Sequence, residues 1–207
     1  MHLDCPDCGL VALRRELHPS EEQERERYLL HRNSPEDAGY RSFLSRLVDP
    51  LVLRVRQGSE GLDFGCGPGP TLSVMLAERG LRVSLHDPLF APNPAALART
   101  WDFVTCTEVV EHLRDPRATW RQVAALVRPG GILGVMTQPL TPARERAFRD
   151  WAYARDPTHV SLYRPVTTDW IASRLGLRLE RAREDVFLFA RGTSPPSADS
   201  LTGSAEC

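Results

Sequence analysis

The chain has 207 residues, enough for one well-buried domain with short appendages and too few for two ordinary enzyme domains. Hydrophobic residues make up 42% and charged residues 26%, ordinary globular values, and the formal net charge of -1 supplies no basic field to gather nucleic acid. All 26 cationic side chains are arginine, which excludes lysine as a general base or Schiff-base nucleophile.

Residues 1–20 carry a Cys-Pro-Asp-Cys-Gly turn followed by a segment with little periodicity, so an irregular cap is expected there. The N-terminal stretch is polar rather than signal-like, and no apolar run approaches the roughly 20 residues of a membrane span, so a cytoplasmic location is expected. Residues 21–57 read as two helices. The first is the exposed, charge-rich run from Glu21 to Leu30; in the second, Tyr40, Phe43, Leu44, Leu47, Val48, Leu51, Val52 and Val55 recur at three- and four-residue steps on one buried face. Pro50 is expected to bend it.

Beyond Gly58 short apolar runs alternate with helical segments, the rhythm of an α/β fold with a mostly parallel sheet and helices on both faces. Strands are expected near 61–64, 81–86, 102–107 and 131–137, with helices starting near Pro70, Pro116 and Thr167 and another across 142–154. Apolar runs at 177–182 and 186–191 flank Arg183, Glu184 and Asp185 as a hairpin, which closes a core of residues 58–191. Residues 192–207 hold too few apolar side chains to pack, and a disordered tail is expected.

Between the first of these strands and its helix lies Leu62-Asp63-Phe64-Gly65-Cys66-Gly67-Pro68-Gly69. A glycine-rich turn there lets backbone amides approach a polar ligand at the positive end of a helix. Its glycines step by two and Pro70 follows, which departs from the dinucleotide fingerprint, and no Gly-Lys-Ser/Thr ending marks a triphosphate cradle. Asp63 stands where a carboxylate meets a ligand ammonium, a placement that suits no phosphate. Asp87, 18 residues after Gly69 at the end of the second strand, stands where an acid accepts two ribose hydroxyls. Together they describe a nucleoside that carries an amino acid and no phosphate.

With this loop, His-Asp-Pro at 86–88, Trp-Asp-Phe-Val-Thr-Cys-Thr-Glu-Val-Val-Glu-His-Leu at 101–113 and Val-Arg-Pro-Gly-Gly-Ile-Leu at 127–133, the chain resembles the class I, Rossmann-like methyltransferases, in particular the ubiquinone-methylase-like methyltransferase-domain subgroup. The resemblance covers about residues 58–191 and implies S-adenosylmethionine as cofactor. It implies that Asp63, Gly65, Cys66, Gly67 and Gly69 line the methionine part, Asp87 and Pro88 the ribose, and Thr105, Cys106 and Thr107 the floor under the sulfonium. In the family's strand numbering it implies a sheet order of about 2-1-4-5-7-6. Only 13 residues, Pro88 to Thr100, stand where the family fits a helix, a third strand and an adenine loop, so strand 3 is expected to be reduced or absent.

Methyl transfer from a sulfonium needs alignment, dry surroundings and at most one base. Glu108, Glu111 and His112 follow the fourth of the family's strands, and Glu108 and His112 are base candidates. The alternative is that the two acids bond the backbone or an arginine and His112 packs structurally. His159 in Asp-Pro-Thr-His is a third candidate, and Trp151, Tyr153, Asp156 and Tyr163 around it, with Tyr28 and His31 upstream, are candidates to face substrate. Asp156 and Thr158 can instead simply form a turn. No metal is required by this chemistry. Cys5 and Cys8 have the spacing of half a zinc knuckle but no second pair completes it, and with Cys66, Cys106 and Cys207 they make an odd, scattered set that is no disulfide framework. The expected acceptor is a small molecule. A cofactor-binding module without turnover, or a tRNA or protein methyltransferase, is the alternative.

Overall fold

The computed structural model describes residues 2–30 and 33–193. A six-stranded sheet forms its centre, from β3 (Glu60–Phe64), β4 (Arg82–His86), β5 (Trp101–Thr107), β6 (Val127–Met136), β8 (Leu177–Arg183) and β9 (Val186–Arg191), in the order β4-β3-β5-β6-β9-β8. The first four run parallel, and β9 enters antiparallel between β6 and β8. Crossover helices follow the parallel strands: α3 (Thr71–Glu78) after β3 and α4 (Pro116–Ala125) after β5. Asp115 and Pro116 start α4 in the manner such residues favour, the aspartate side chain accepting from the Ala118 amide. After β4, a tight Asp87–Ala91 bridge and a short 3-10 turn over Pro94–Ala98 lead directly to β5. Among the described residues no strand pairs with the outer side of β4.

Strand parity divides the core into two layers. Leu62, Phe64, Val104, Cys106, Leu133 and Val135 face α4 and α6 (Pro165–Arg174). Phe103, Ile132 and Met136 face the other way, against Leu44, Leu47, Val48 and Leu51 of α2 (Ala38–Val52) and Leu72, Met75 and Leu76 of α3. Pro50 lies inside α2 near its C-terminal end.

Two expectations need correction. Residues 1–20 are not an irregular cap: β1 (His2–Asp4) and β2 (Val11–Leu13) form a hairpin around the Cys-Pro-Asp-Cys-Gly turn, and β7 (Ser161–Leu162) pairs with β2 to make a second, three-stranded sheet. The helix expected over 142–154 stops at α5 (Pro142–Arg146) and gives way to a separate 3-10 turn over Ala152–Arg155. Trp151 and Tyr153 would point about 200° apart on a continuous helix. Their rings instead stack with centroids 5.2 Å apart inside a third apolar cluster with Val11, Leu140 and Leu162. The exposed helix α1 (Glu21–Leu29) opens on a Ser20–Gln23 capping box. Residues 194–207 of the expected tail lie outside the described residues.

Candidate active site

The loop leaving β3 is held by its backbone. Gly65 and Gly67 have φ of 75° and 63°, the left-handed region that side chains disfavour. The Gly65 amide donates to the His86 carbonyl at 2.7 Å, and the Gly67 amide donates to Asp87 Oδ2 at 3.0 Å. Asp87 Oδ1 accepts from the Leu89 and Phe90 amides at 2.8 and 3.0 Å, a tight turn that Pro88 initiates. Asp87 thus fastens the glycine loop to the end of β4, with three of about four carboxylate acceptor positions engaged by amides. Gly69 carries no side chain because a Cβ there would stand 2.3 Å from the Asn33 carbonyl, to which the Thr71 hydroxyl also donates. Cys66 is half-buried, and burial pushes its thiol up to about 12.

Asp63 ends β3 beside Thr105 of β5, whose hydroxyl donates to Asp63 Oδ1 at 2.9 Å. The carboxyl is buried, and the loss of hydration pushes it up to about 7 against the hydroxyl's opposing pull. Thr105 and Thr107 share this face, while Cys106 points into the opposite layer and is 1% exposed among Val104, Leu133 and Val135. Cys106 is therefore core, which corrects its assignment to the cofactor floor. Thr107 Oγ1 is buried and without a hydrogen-bond partner.

Immediately after β5 the chain turns sharply. Glu108 has φ of 51°, its amide donates to the Met136 carbonyl at 2.9 Å, and a short 3-10 turn runs over Val110–His112. Glu108 Oε1 is buried without a partner. Glu111 is fully buried; the Tyr153 hydroxyl donates to its Oε1 at 2.6 Å and the Thr137 hydroxyl to its Oε2 at 3.1 Å. Burial raises both carboxyls, Glu108 further because the Glu111 charge adds to its rise, whereas hydrogen bonds with Tyr153, Thr137 and Glu108 pull Glu111 back down, so the pair carries a proton well above ordinary carboxylate pH. His112 Nδ1 lies 2.9 Å from the Thr158 carbonyl and His159 Nδ1 lies 2.7 Å from the Tyr153 carbonyl. A carbonyl only accepts, so both rings carry their proton on Nδ1 when neutral. The two imidazoles meet edge to face with centroids 4.7 Å apart.

The polar helix α1 lies over this end of the sheet, held by charges and rings rather than by an apolar stripe. Arg27 reaches Asp156 at 2.6 Å, Arg114 reaches Glu24 at 2.9 Å, and Tyr28 meets His112 and Phe90 edge-on at 5.2 and 6.5 Å. Asp156 also accepts from the Thr158 amide and hydroxyl, and these bonds with Arg27 hold its carboxyl below the usual range despite burial. It positions the His159 turn. Tyr153 belongs to the site through Glu111, and Trp151 is half-buried beneath the Arg144 guanidinium at 5.2 Å. Tyr163 does not face the site: it is 1% exposed, donates to the Val110 carbonyl at 2.9 Å and accepts from Trp120 Nε1 at 3.2 Å. It is a core strut behind the 110–112 turn, correcting its place among the substrate candidates. His31 lies outside the described residues. Cys5 and Cys8 flank the hairpin turn, and among the described residues no metal-competent set of three His, Cys, Asp or Glu side chains includes either. Thr137 is a site residue that sequence reasoning misses; its signal is a polar residue ending the apolar run of β6, next to the end of β5 that carries Thr107.

A family model described as a methyltransferase domain matches residues 37–182, more than half of the chain. The chain belongs to the class I, S-adenosylmethionine-dependent methyltransferase family. Over 123 residues this methyltransferase is 34% identical to the ubiquinone biosynthesis O-methyltransferase of Xanthomonas campestris pv. campestris, which covers 46% of the chain and 50% of that protein. Over 71 residues it is 38% identical to the protein of the same name from Vibrio parahaemolyticus, covering 34% of the chain and 30% of that protein. The matched segments thus span half or less of these curated relatives. In fold it is similar to an O-methyltransferase family protein from Burkholderia thailandensis, with a TM-score of 0.57 at 17% identity over 87% of this chain and 66% of that one. Magnesium protoporphyrin IX methyltransferase from Synechocystis PCC 6803, solved with bound SAH, shares the fold with a TM-score of 0.51 at 14% identity over 86% of this chain and 98% of that one. No helix among the described residues is long and apolar enough to cross a membrane.

Proposed function

We propose that this chain transfers a methyl group from S-adenosylmethionine to an oxygen of a small-molecule acceptor. The observation that carries the reading is the pair of acids around the left-handed glycine turn: buried Asp63 at the end of β3 and amide-anchored Asp87 at the end of β4. The chain fits the cofactor on two further counts. A Cβ at Gly67 would meet nothing within 4 Å, so the turn has open space before it, and Thr107 Oγ1 is a buried hydroxyl without a protein partner on the Asp63 face. The names of the curated relatives support oxygen as the acceptor atom.

When bound, the cofactor supplies a methyl group on a cationic sulfur. The ionised Asp63 carboxylate receives the ammonium of its amino-acid end, and the last acceptor position of Asp87 receives ribose hydroxyl. Next to them the Nε2 atoms of His112 and His159, both rings set by carbonyls at Nδ1, are suited to accept a proton from an acceptor hydroxyl. Glu108, kept protonated by burial beside Glu111, is a donor at neutral pH rather than a base. The α1 helix, bonded through Arg27 and Tyr28, excludes water from above.

Calorimetry with S-adenosylhomocysteine tests this. Wild type is expected to bind, with affinity at least about tenfold weaker in Asp87→Ala and in Gly67→Val, a loss of at least about 1.4 kcal/mol. A wild type that does not bind overturns the reading. Binding without methylated product across a panel of phenols and catechols would favour a cofactor-binding module instead.

A further inference from the structure

We propose that the cleft between the N-terminal hairpin, α4 and α6 binds a single-chain organic anion, an unbranched hydrocarbon chain that ends in a carboxylate. The cleft encloses about 530 Å3, inside the roughly 300 to 1,000 Å3 of pockets that take small molecules. Asp63, Gly67 and Asp87 lie outside its lining, so it is separate from the cofactor crevice.

Its walls are hydrocarbon: Leu10, Val160, Ile171 and Leu175, with the rings of Trp120 and Trp170. The hydroxyls in those walls are already bonded within the protein. Ser161 donates to the Leu113 carbonyl at 2.8 Å, Thr167 Oγ1 accepts from the Arg164 amide at 3.2 Å, and the Tyr163 hydroxyl is held between the Val110 carbonyl and Trp120 Nε1. An occupant with polar groups along its length would leave them unmet, so its body is apolar.

The charge around these walls has one sign. Seven arginines and a single carboxylate, Asp115, line the cleft, in a chain whose formal net charge is -1. Asp115 caps α4 by accepting from the Ala118 amide. Three of the arginines are engaged by the protein: Arg114 meets Glu24 at 2.9 Å, Arg191 donates to the Ala124 and Val127 carbonyls at 3.1 and 2.8 Å, and Arg174 lies 5.1 Å from the Trp170 ring centre. The other four, Arg14, Arg15, Arg117 and Arg121, form no salt bridge among the described residues. Arg117 and Arg121 are four residues apart and so share one face of α4. Arg117 also stands in the first turn, where the helix dipole already concentrates positive charge. A cation there raises the energy of the empty protein, and a bound anion removes the conflict. A guanidinium fork takes a carboxylate through two parallel hydrogen bonds.

Calorimetric titration of the full chain with dodecanoate, kept below its micelle concentration, tests this, with the fluorescence of Trp120 and Trp170 as a second readout. Wild type is expected to saturate at one equivalent, to bind dodecanol at least tenfold more weakly, and not to bind dodecyltrimethylammonium. The double variant Arg117→Glu/Arg121→Glu is expected to weaken dodecanoate at least tenfold without a lower melting temperature, because acids suit the first turn of a helix. Ala125→Phe, placed at an exposed position of the lining, is expected to weaken it as much by filling the cleft. S-adenosylhomocysteine is expected to leave dodecanoate affinity within twofold. No saturable binding to wild type, equal affinity for the anion and the cation, wild-type affinity in both variants, or displacement by S-adenosylhomocysteine would each overturn the site. A wild type that sediments as a dimer, and as a monomer once Ala125→Phe is introduced, would make a second copy the occupant and overturn it as well.

Discussion

Replacing Asp63 by asparagine is expected to make the protein more resistant to raised pH and worse at holding its ligand. Asp63 is 3% exposed, and its carboxyl rises from 3.8 to about 7 through burial, which the Thr105 hydroxyl opposes and Asp87 reinforces. Because the folded value lies above the unfolded one, the folded state holds the proton more tightly, so this contribution to stability is complete below about pH 4 and is lost as pH rises through about 7. Of the roughly three-unit difference, about two units fall between pH 5 and pH 8, on the order of 2.5 kcal/mol, or roughly 5 to 10 °C for a chain of this size. An asparagine side chain in its place cannot ionise and would keep that stability while still accepting from Thr105. The ligand's ammonium, by contrast, binds only the carboxylate, so wild-type affinity is expected to fall about hundredfold from pH 8 to pH 5 while the variant is weak and flat. Of the other titratable groups near Asp63, Cys66 and Tyr40 are pushed up to about 12 and Cys106, in the opposite layer, higher still, so none of these three changes charge within this window. Melting curves and S-adenosylhomocysteine calorimetry at pH 5, 6, 7 and 8 measure both halves. Wild-type affinity that is independent of pH, or an asparagine variant that binds as wild type does, would refute the role given to Asp63.

Tyr163→Phe is expected to cost roughly 1–3 kcal/mol in denaturant unfolding, because the Val110 carbonyl and Trp120 Nε1 both lose a buried partner, while S-adenosylhomocysteine affinity stays within about twofold. A large drop in affinity at unchanged stability would return Tyr163 to the site. Arg27→Ala removes the bond to Asp156 at a global cost of under about 1 kcal/mol. Its expected signature is faster amide exchange over residues 21–29, and unchanged protection there would show that α1 is held by its rings instead.

The features legible in the sequence were those governed by short-range rules. Period-two and period-3.6 apolar patterns located the four parallel strands, the 177–191 hairpin and α2 to within a few residues, because each of these buries a face whose spacing is set by backbone geometry alone. The glycine loop was legible because left-handed backbone at Gly65 and Gly67 demands that residue type. Asp63 and Asp87 could be singled out by their places, the first two residues before the first glycine and the second at the end of the second strand, where acids meet an ammonium and ribose hydroxyls.

What escaped was set by pairing at a distance. The hairpin of residues 2–13 carries only three residues per strand and closes its sheet with two residues of β7, some 150 positions later, so no local pattern announces it. The break inside 142–154 has the same origin: Pro142 at the first helical position and the Ala, Arg and Glu after it favour helix there, but Tyr153 is drawn to Glu111 across 42 residues and Trp151 stacks beside it, which a continuous helix would not allow. Cys106 shows the complementary failure, a residue inside the right motif on the wrong face. The alternation that puts Thr105 beneath Asp63 necessarily sends its neighbour into the opposite layer, so motif membership by itself never assigns a strand residue to a site. Applied to the turn after β5, the same reasoning makes Glu111 rather than Glu108 the centre of the arrangement. Glu111 is the acid that Tyr153 and Thr137 both reach: the first bond ties the segment bearing His159 to the turn bearing His112, and the second ties that turn to the end of β6.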